Sequence, residues 1–352
     1  MRTNKRANSR ITAKHVAEAA GVSQATVSMA LRGSEEISPA RIAQIQKLAR
    51  QMSYHPRAAA QLLRSKRSGQ IGILTAATGG VYAFSRGFTG PLIGGVVDAC
   101  IKQQLRYVIE FSSNHASGPV PLPYQVTSGL VDGSVFVGDI DSGLRRRLAR
   151  EVPDYPSVSL DEPSPFCVLS DSRGGVREMV HRLAGLGHKR LAYAGGPKKY
   201  HTHREGFAGW IEATEALGLA TSQKRYLEFG SSEEAGIESV EAVKWARRLL
   251  SQPTRPTAFI CHDMVVARAV IHAALEAGLN VPRDISVMSW GWHVTAQEQF
   301  PALSTTELDY QLMIERAMDL LNRLIDKQPV SEPKIVIPLR YIEGATVAPV
   351  SS

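Results

Sequence analysis

The sequence predicts a multidomain protein: a small all-α unit of helix-turn-helix type, a short hinge helix, and a large α/β core of two parallel-sheet subdomains. Three observations predict it. Residues 12–33 carry two short helical patterns around Gly21, strand-like and helix-like segments alternate from Ile71 onward, and the positive charge is gathered in the first 68 residues.

In the first helical pattern Thr12 offers a capping hydroxyl, and Val16, Ala17 and Ala20 form one narrow apolar face. Gly21 ends it, because a residue without Cβ reverses the chain at positive φ without a clash, and Val22 plugs the corner. Ser23 caps the second pattern, in which Val27, Ala30 and Leu31 face inward and Ala17 leaves room where the axes cross. Gln24, Ala25, Ser28 and Met29 then point outward from the front of the second helix, the end that a helix-turn-helix presents to the major groove. The bland alternative is a helical hairpin of an ordinary all-α protein.

Ser38-Pro39 opens a third helix marked by Ile42, Ile45, Leu48, Ala49 and Met52. Tyr54-His55-Pro56 stops it. Residues 57–64 give a fourth helix of about two turns, too short to stand alone in water and expected to order when something packs on it. Residues 65–69 are a basic linker.

From Ile71 the order is strand 71–77, helix 92–104, strand 107–111, a helix ending near 130 and strand 133–138. A second βα series begins near Cys167. It runs through helix 176–186, strand 190–194, helix 209–217, strand 226–229, helix 239–250, strand 258–261, helix 264–277 and strand 285–289. Such alternation is the pattern of parallel sheets flanked by helices, and two in tandem leave a cleft between them. Helix 314–325 and strand 335–342 return to either half.

Of 352 residues, 43% are hydrophobic and 21% charged, ordinary values for a globular protein. Residues 1–68 hold 13 Lys/Arg against 3 Asp/Glu, and the rest 28 against 30, so the net +8 belongs to the N-terminal unit and fits a polyanionic partner. Arg41, Lys47, Arg50, Arg57 and Arg64 lie within helical patterns, which argues against a solvated basic tail. Cys100, Cys167 and Cys261 are scattered and odd in number, implying neither a disulfide framework nor a zinc site. No signal peptide and no transmembrane span is read, so a cytoplasmic protein with no membrane partner is expected. No GxxxxGK[ST], GxSxG or HExxH motif occurs, and no enzyme, cofactor or metal is expected.

Residues 12–33, Ser53-Tyr54-His55-Pro56 and Ala60-Gln61-Leu62-Leu63 resemble the DNA-binding headpiece and hinge of the lactose-repressor (LacI/GalR) family of bacterial transcriptional regulators. Residues 171–175, 186–196, 256–263, 278–286 and 303–306 resemble that family's recurring core segments, in the same order, so the resemblance covers nearly the whole chain. It implies a dimeric repressor on a near-palindromic DNA operator. It also implies a periplasmic-binding-protein-like core of two flavodoxin-like subdomains, switched by a small molecule, a sugar or related metabolite, held between them. The domains implied are a headpiece at 1–55, a hinge at 56–69 and a core at 70–352. Crossovers near 159–165, 292–303 and 326–334 would divide the core into an N-subdomain of about 70–161 and 303–327 and a C-subdomain of about 165–292 and 334–352.

The resemblance makes Gln24, Ala25 and Met29 the groove-facing residues, with Thr12, Ser23, Thr26, Ser28, Arg32 and Tyr54 also at the DNA. A glutamine pairs bidentately with adenine, whereas alanine or methionine touches a thymine methyl. Met29 stands where the family commonly has arginine, and Arg32 where it has asparagine; Met29 otherwise packs on Ile11 or the third helix. In the hinge, Leu63 is expected to wedge between base steps of the minor groove, with Ala60 permitting close approach and Arg57 and Arg64 meeting phosphates. For the effector, the expected residues are Phe88, Asp171, Arg204, His262, Asp263, Trp290 and Trp292. Asp263 is equally suited to capping helix 264–277, and a tryptophan here either stacks on a sugar face or is packed. His201 and His203 read as two loop histidines, solvated or effector-facing. Gly206 replaces the usual ligand-contacting arginine and Gly291-Trp292 the usual acidic pair, which keeps an unliganded core as the alternative. The tail after Gly344 has no heptad pattern, so a homodimer rather than a coiled-coil tetramer is expected.

Overall fold

The structure, a computed structural model, describes residues 11–350 apart from 32–33, 35, 53, 55–66, 77–88, 113–119, 139, 198–199, 220–225, 229–236 and 292–299. It divides into two compact units, one ending at Ser68 and one beginning at Gly69.

The first unit holds three helices, α1 (Ala13–Ala20), α2 (Gln24–Leu31) and α3 (Pro39–Gln51). Gly21 adopts φ 62° and ψ 40°, and the Val22 amide donates back to the Ala17 carbonyl (3.0 Å), so the chain turns within one residue of the helix end. Ser23 Oγ accepts the Thr26 amide at 3.0 Å and opens α2. Thr12 is extended as a cap should be, but its hydroxyl meets the His15 ring (3.2 Å) and its amide donates to His15 Nδ1 (3.1 Å); the imidazole closes this helix end. Val16, Ala17, Val27, Ala30, Ile45 and Ala49 form the shared core. Arg41 and Gln46 of α3 donate to the terminal carbonyls of Ala20 and Ala30, tying the third helix across the first two.

The second unit has two lobes. The first is a six-stranded parallel sheet built from β1 (Gln70–Ala76), β2 (Arg106–Ser112), β3 (Gly133–Val137), β4 (Ser157–Leu160), β5 (Cys167–Ser170) and β11 (Lys334–Ile337), in the order β11-β5-β4-β3-β1-β2. The second contains β6 (Leu191–Gly195), β7 (Tyr226–Glu228), β8 (Ala258–Cys261), β9 (Ser286–Gly291), β10 (Ser304–Leu308) and β12 (Leu339–Ile342), in the order β12-β10-β9-β8-β6-β7, with β12 antiparallel to β10. Helices α4 (Thr89–Lys102), α5 (Tyr124–Thr127), α6 (Ser142–Glu151) and α11 (Tyr310–Ile325) serve the first sheet. The second carries α7 (Ser172–Gly185), α8 (His201–Ala216), α9 (Ile237–Leu250) and α10 (Met264–Glu276).

Period-two alternation explains how each sheet is covered on both faces. Ala192, Phe259 and Val287 face the α9–α10 side, and their neighbours Tyr193, Ile260 and Met288 face the α7–α8 side. In the first lobe, Ile73 and Val135 pack with Ile314 and Leu321 of α11, while Leu74 and Phe136 meet Leu144 and Leu148 of α6. His188 bridges Thr257 Oγ1 (3.0 Å) and the Ala348 carbonyl (2.9 Å), which fastens the tail to the second lobe.

Each crossover between lobes lies later in the chain than expected. The first runs from Ser170 through Asp171 into α7, the second is Asp309 between β10 and α11, and the third is Pro338 between β11 and β12. Residues 167–170 and 334–337 therefore belong to the first lobe and 304–308 to the second. The reason is edge pairing: β5 and β11 pair with each other at the border of the first sheet, while β10 pairs with β9. The strand read at 335–342 returns to both lobes, broken at Pro338. Cys100, Cys167 and Cys261 are free and buried.

Candidate DNA-reading face and effector cleft

On the headpiece, Ser23, Gln24 and Ala25 are exposed at the N-terminal end of α2, Thr26, Ser28 and Met29 are half-buried, and Val27 and Ala30 are buried behind them. This separation follows from helical periodicity, since one α2 face is taken up by the shared core. Among the described residues Met29 lies outside the cluster of side chains packed on that core, whereas Tyr54 is half-buried against it. Thr12 is exposed. Arg32, Arg57, Ala60, Leu63 and Arg64 lie outside the described residues.

In the core, the carboxyl ends of β6, β8 and β9 converge where open α/β sheets bind ligands. Asp171 is the N-cap of α7, its Oδ1 accepting the Gly174 amide at 2.8 Å, and Asp263 is the N-cap of α10, accepting the Val266 amide at 2.8 Å. Each expected effector carboxylate thus holds a helix terminus, where backbone donors need an acceptor. Arg204 is exposed on α8. His262 is buried, its Nδ1 lying 3.1 Å from the Ala194 carbonyl and its Nε2 3.4 Å from Asp263 Oδ2. Phe88 and Trp292 lie outside the described residues.

His201 and His203 sit in the first turn of α8 rather than in a loop. The His203 ring is edge-on to His262 (centroids 5.1 Å apart), Trp290 (5.8 Å) and Tyr200 (5.7 Å). A Cβ on Gly196 would run into that ring, so the glycine makes its place. Burial, with His262 beside it, holds His203 well below the usual imidazole pKa and keeps it neutral. Trp290 is half-buried against Met288, Tyr193 and their neighbours, so its packing role is met within the lobe. Tyr193 stacks on Trp210 at 5.3 Å, and a Cβ on Gly206 would lie 2.9 Å from the Tyr193 hydroxyl. The space that a longer residue at 206 would enter is occupied. Ser172, Tyr193, His203, His262 and Trp290 pack here without room for a water molecule between them. Tyr193 is absent from the expected site and nothing local marks it, whereas His203 is expected only as a loop histidine, solvated or effector-facing.

The description "Bacterial regulatory proteins, lacI family" fits residues 12–57, and "Periplasmic binding protein-like domain" fits residues 180–347. The chain carries a lacI-family DNA-binding domain and a periplasmic-binding-protein-like domain. Catabolite control protein A of Priestia megaterium is 25% identical over 334 residues, covering 94% of this chain and 97% of that one. The ribose operon repressor of Bacillus subtilis is 28% identical over 351 residues, covering 95% and 98%. The lac repressor dimer bound to operator and the anti-inducer ONPF superposes with a TM-score of 0.82 at 20% identity, over 96% of this chain and 99% of that one. A CelR–cellobiose complex gives 0.68 at 21% identity, over 96% and 100%. Like these structures, this chain joins a helix-turn-helix headpiece to a two-lobed α/β core. No helix among the described residues is long and apolar enough to cross a membrane.

Proposed function

We propose that this chain is a sequence-specific DNA-binding transcriptional repressor that docks as a homodimer on a near-palindromic operator and responds to a small molecule, a sugar or related metabolite, held between the lobes of its core. The observation carrying this reading is the exposed front of α2, where Ser23, Gln24 and Ala25 stand clear of a three-helix core within the basic N-terminal segment. The relatives support it, since the ribose operon repressor carries that activity in its name and the lac repressor dimer was solved on operator. Exposed apolar side chains support self-association: Ile101, Tyr107 and Phe111 on the first lobe, Val240 and Val265 on the second. No catalytic step enters this reading.

Selection of binding sites from a random duplex pool tests it and is expected to return a near-palindrome. Gln24→Ala is expected to lose about 1–3 kcal/mol of specific affinity, roughly 5- to 150-fold, and to relax the preference at one adenine in each half-site. An unchanged preference would exclude Gln24 as a reader.

Switching in this reading runs through the hinge. A two-turn helix orders when paired with its partner on DNA, and an effector that changes the angle between lobes changes the spacing of the paired hinges. Leu63→Ala is expected to lower operator affinity while leaving effector binding intact, measured by fluorescence anisotropy and by calorimetry with a sugar library; equal operator affinity would count against a minor-groove wedge.

A further inference from the structure

The three crossovers between lobes meet at one buried acid. Asp161 follows β4 with a positive φ of 55°, and its backbone amide donates to the Val168 carbonyl at 2.9 Å, so its position is fixed from both strands of the β4–β5 pair. Its Oδ1 accepts the Ser170 amide at 2.5 Å, at the last residue before the first crossover. The next amide, that of Asp171, donates to the Ile337 carbonyl at 2.8 Å, immediately before the third crossover at Pro338. Leu339, just beyond Pro338, pairs in register with Leu308, the residue before the second crossover, and Tyr310 beyond that crossover lies within electrostatic reach of Asp161. Asp161 Oδ2 is buried and has no hydrogen-bond partner among the described residues.

Ser170 favours the charged form of this carboxyl through its amide and its hydroxyl, and burial outweighs it. Glu162 adds a like charge and accepts the His201 amide of the second lobe at 3.2 Å. Tyr310 faces it from α11, with Glu307 of β10 nearby and held by Arg340 of β12 at 2.9 Å. From the start of α7, Asp171 is engaged with the Gly174 amide, and Ser172 Oγ lies 3.1 Å from Ser170 Oγ. From α6, Arg145 reaches the Pro163 carbonyl at 3.4 Å.

We propose that Asp161 is a proton-operated latch on the hinge of the core: neutral, it holds the three crossovers in the arrangement seen here, and ionised, it loosens them. Ionisation places a charge on a buried carboxyl whose Oδ2 no donor among the described residues meets, and opening the β5–crossover segment, which carries the Ser170 and Asp171 amides, lets water reach it. Burial, opposed by the Ser170 hydrogen bonds and reinforced by Glu162, pushes the Asp161 pKa up to about 6. Because the folded value is raised, the stabilisation from the neutral acid is complete below the ordinary carboxylate pKa and is lost as pH rises through about 6. The latch thus acts on the joint between the lobes, independently of which molecule the cleft accepts.

Amide hydrogen exchange on the full chain tests this, with rates corrected for intrinsic base catalysis. Protection of the Asp171 amide in the unsubstituted protein is expected to fall about tenfold or more between about pH 5 and about pH 7.5, while Ile73 and Phe259 in the inner strands stay constant. In Asp161→Asn, which is neutral at every pH and keeps an acceptor for Ser170, protection at Asp171 is expected to be flat across that range. A flat profile in the unsubstituted protein, or the same fall in Asp161→Asn, overturns the latch. If the variant does not fold, carbon-13 titration of the Asp161 carboxyl in the unsubstituted chain decides: a midpoint near 6 supports the proposal, and one in the ordinary carboxylate range overturns it.

Discussion

Replacing Val27 by aspartate is expected to abolish operator binding while the unit from Gly69 onward melts as before. Val27 is fully buried in a cluster of six aliphatic side chains shared by α1, α2 and α3. Nothing in that cluster is charged, so an ionised carboxylate there meets no partner, and the cost of several kcal/mol exceeds what so small a core supplies. The second unit has its own clusters and should not register the change. Gel-shift titration with the selected operator and scanning calorimetry on the same preparation check both halves. Retained operator affinity would mean that α2 docks without the three-helix core.

Gly209→Ala is expected to have the largest effect in the second lobe. Gly209 lies on α8 where that helix crosses α7, and a Cβ there would run into the backbone carbonyl of Arg173. Backbone cannot step aside as a flexible side chain does, so the helices must separate at an overpacking cost of about 1–3 kcal/mol or more. At roughly 2–4 °C per kcal/mol for a unit of this size, a fall of several degrees in Tm is expected by calorimetry. The Arg173–Glu212 ion pair spanning the same two helices is half exposed and contributes little beside this contact. An unchanged Tm would show that α7 and α8 do not approach as closely as the structure places them.

What was legible in the sequence followed the range of the interaction. Val16, Ala17, Val27 and Ala30 announce the headpiece because their neighbours on one helix face lie three and four residues away. Most of the βα order of the core was equally plain, since each segment carries its own period, but α6, β4 and β10 were not read. The crossovers were not, because whether residues 167–170 or 334–337 join the first sheet depends on which edge is open to pair, and no local pattern holds that information. In the cleft, Asp171 and Asp263 were visible as polar residues at strand ends, but the same positions are where a helix needs a cap, and the backbone claims them. His203 and Tyr193 pack at the strand ends of the second lobe against Gly196 and Gly206, and both contacts rest on the absence of a side chain. Asp161 is not legible in the sequence for a related reason: its importance comes from segments far apart in the chain meeting near it.

The strand broken at Pro338 has a consequence for the order in which the protein can be made. Its two halves supply the border of both sheets, β11 to one lobe and β12 to the other. As the chain leaves the ribosome, neither sheet can be finished until residues 334–342 have been synthesised, whereas the helices of residues 13–51 are available from the start. The nascent chain therefore carries a folded DNA-reading unit well before it has a complete core to govern it.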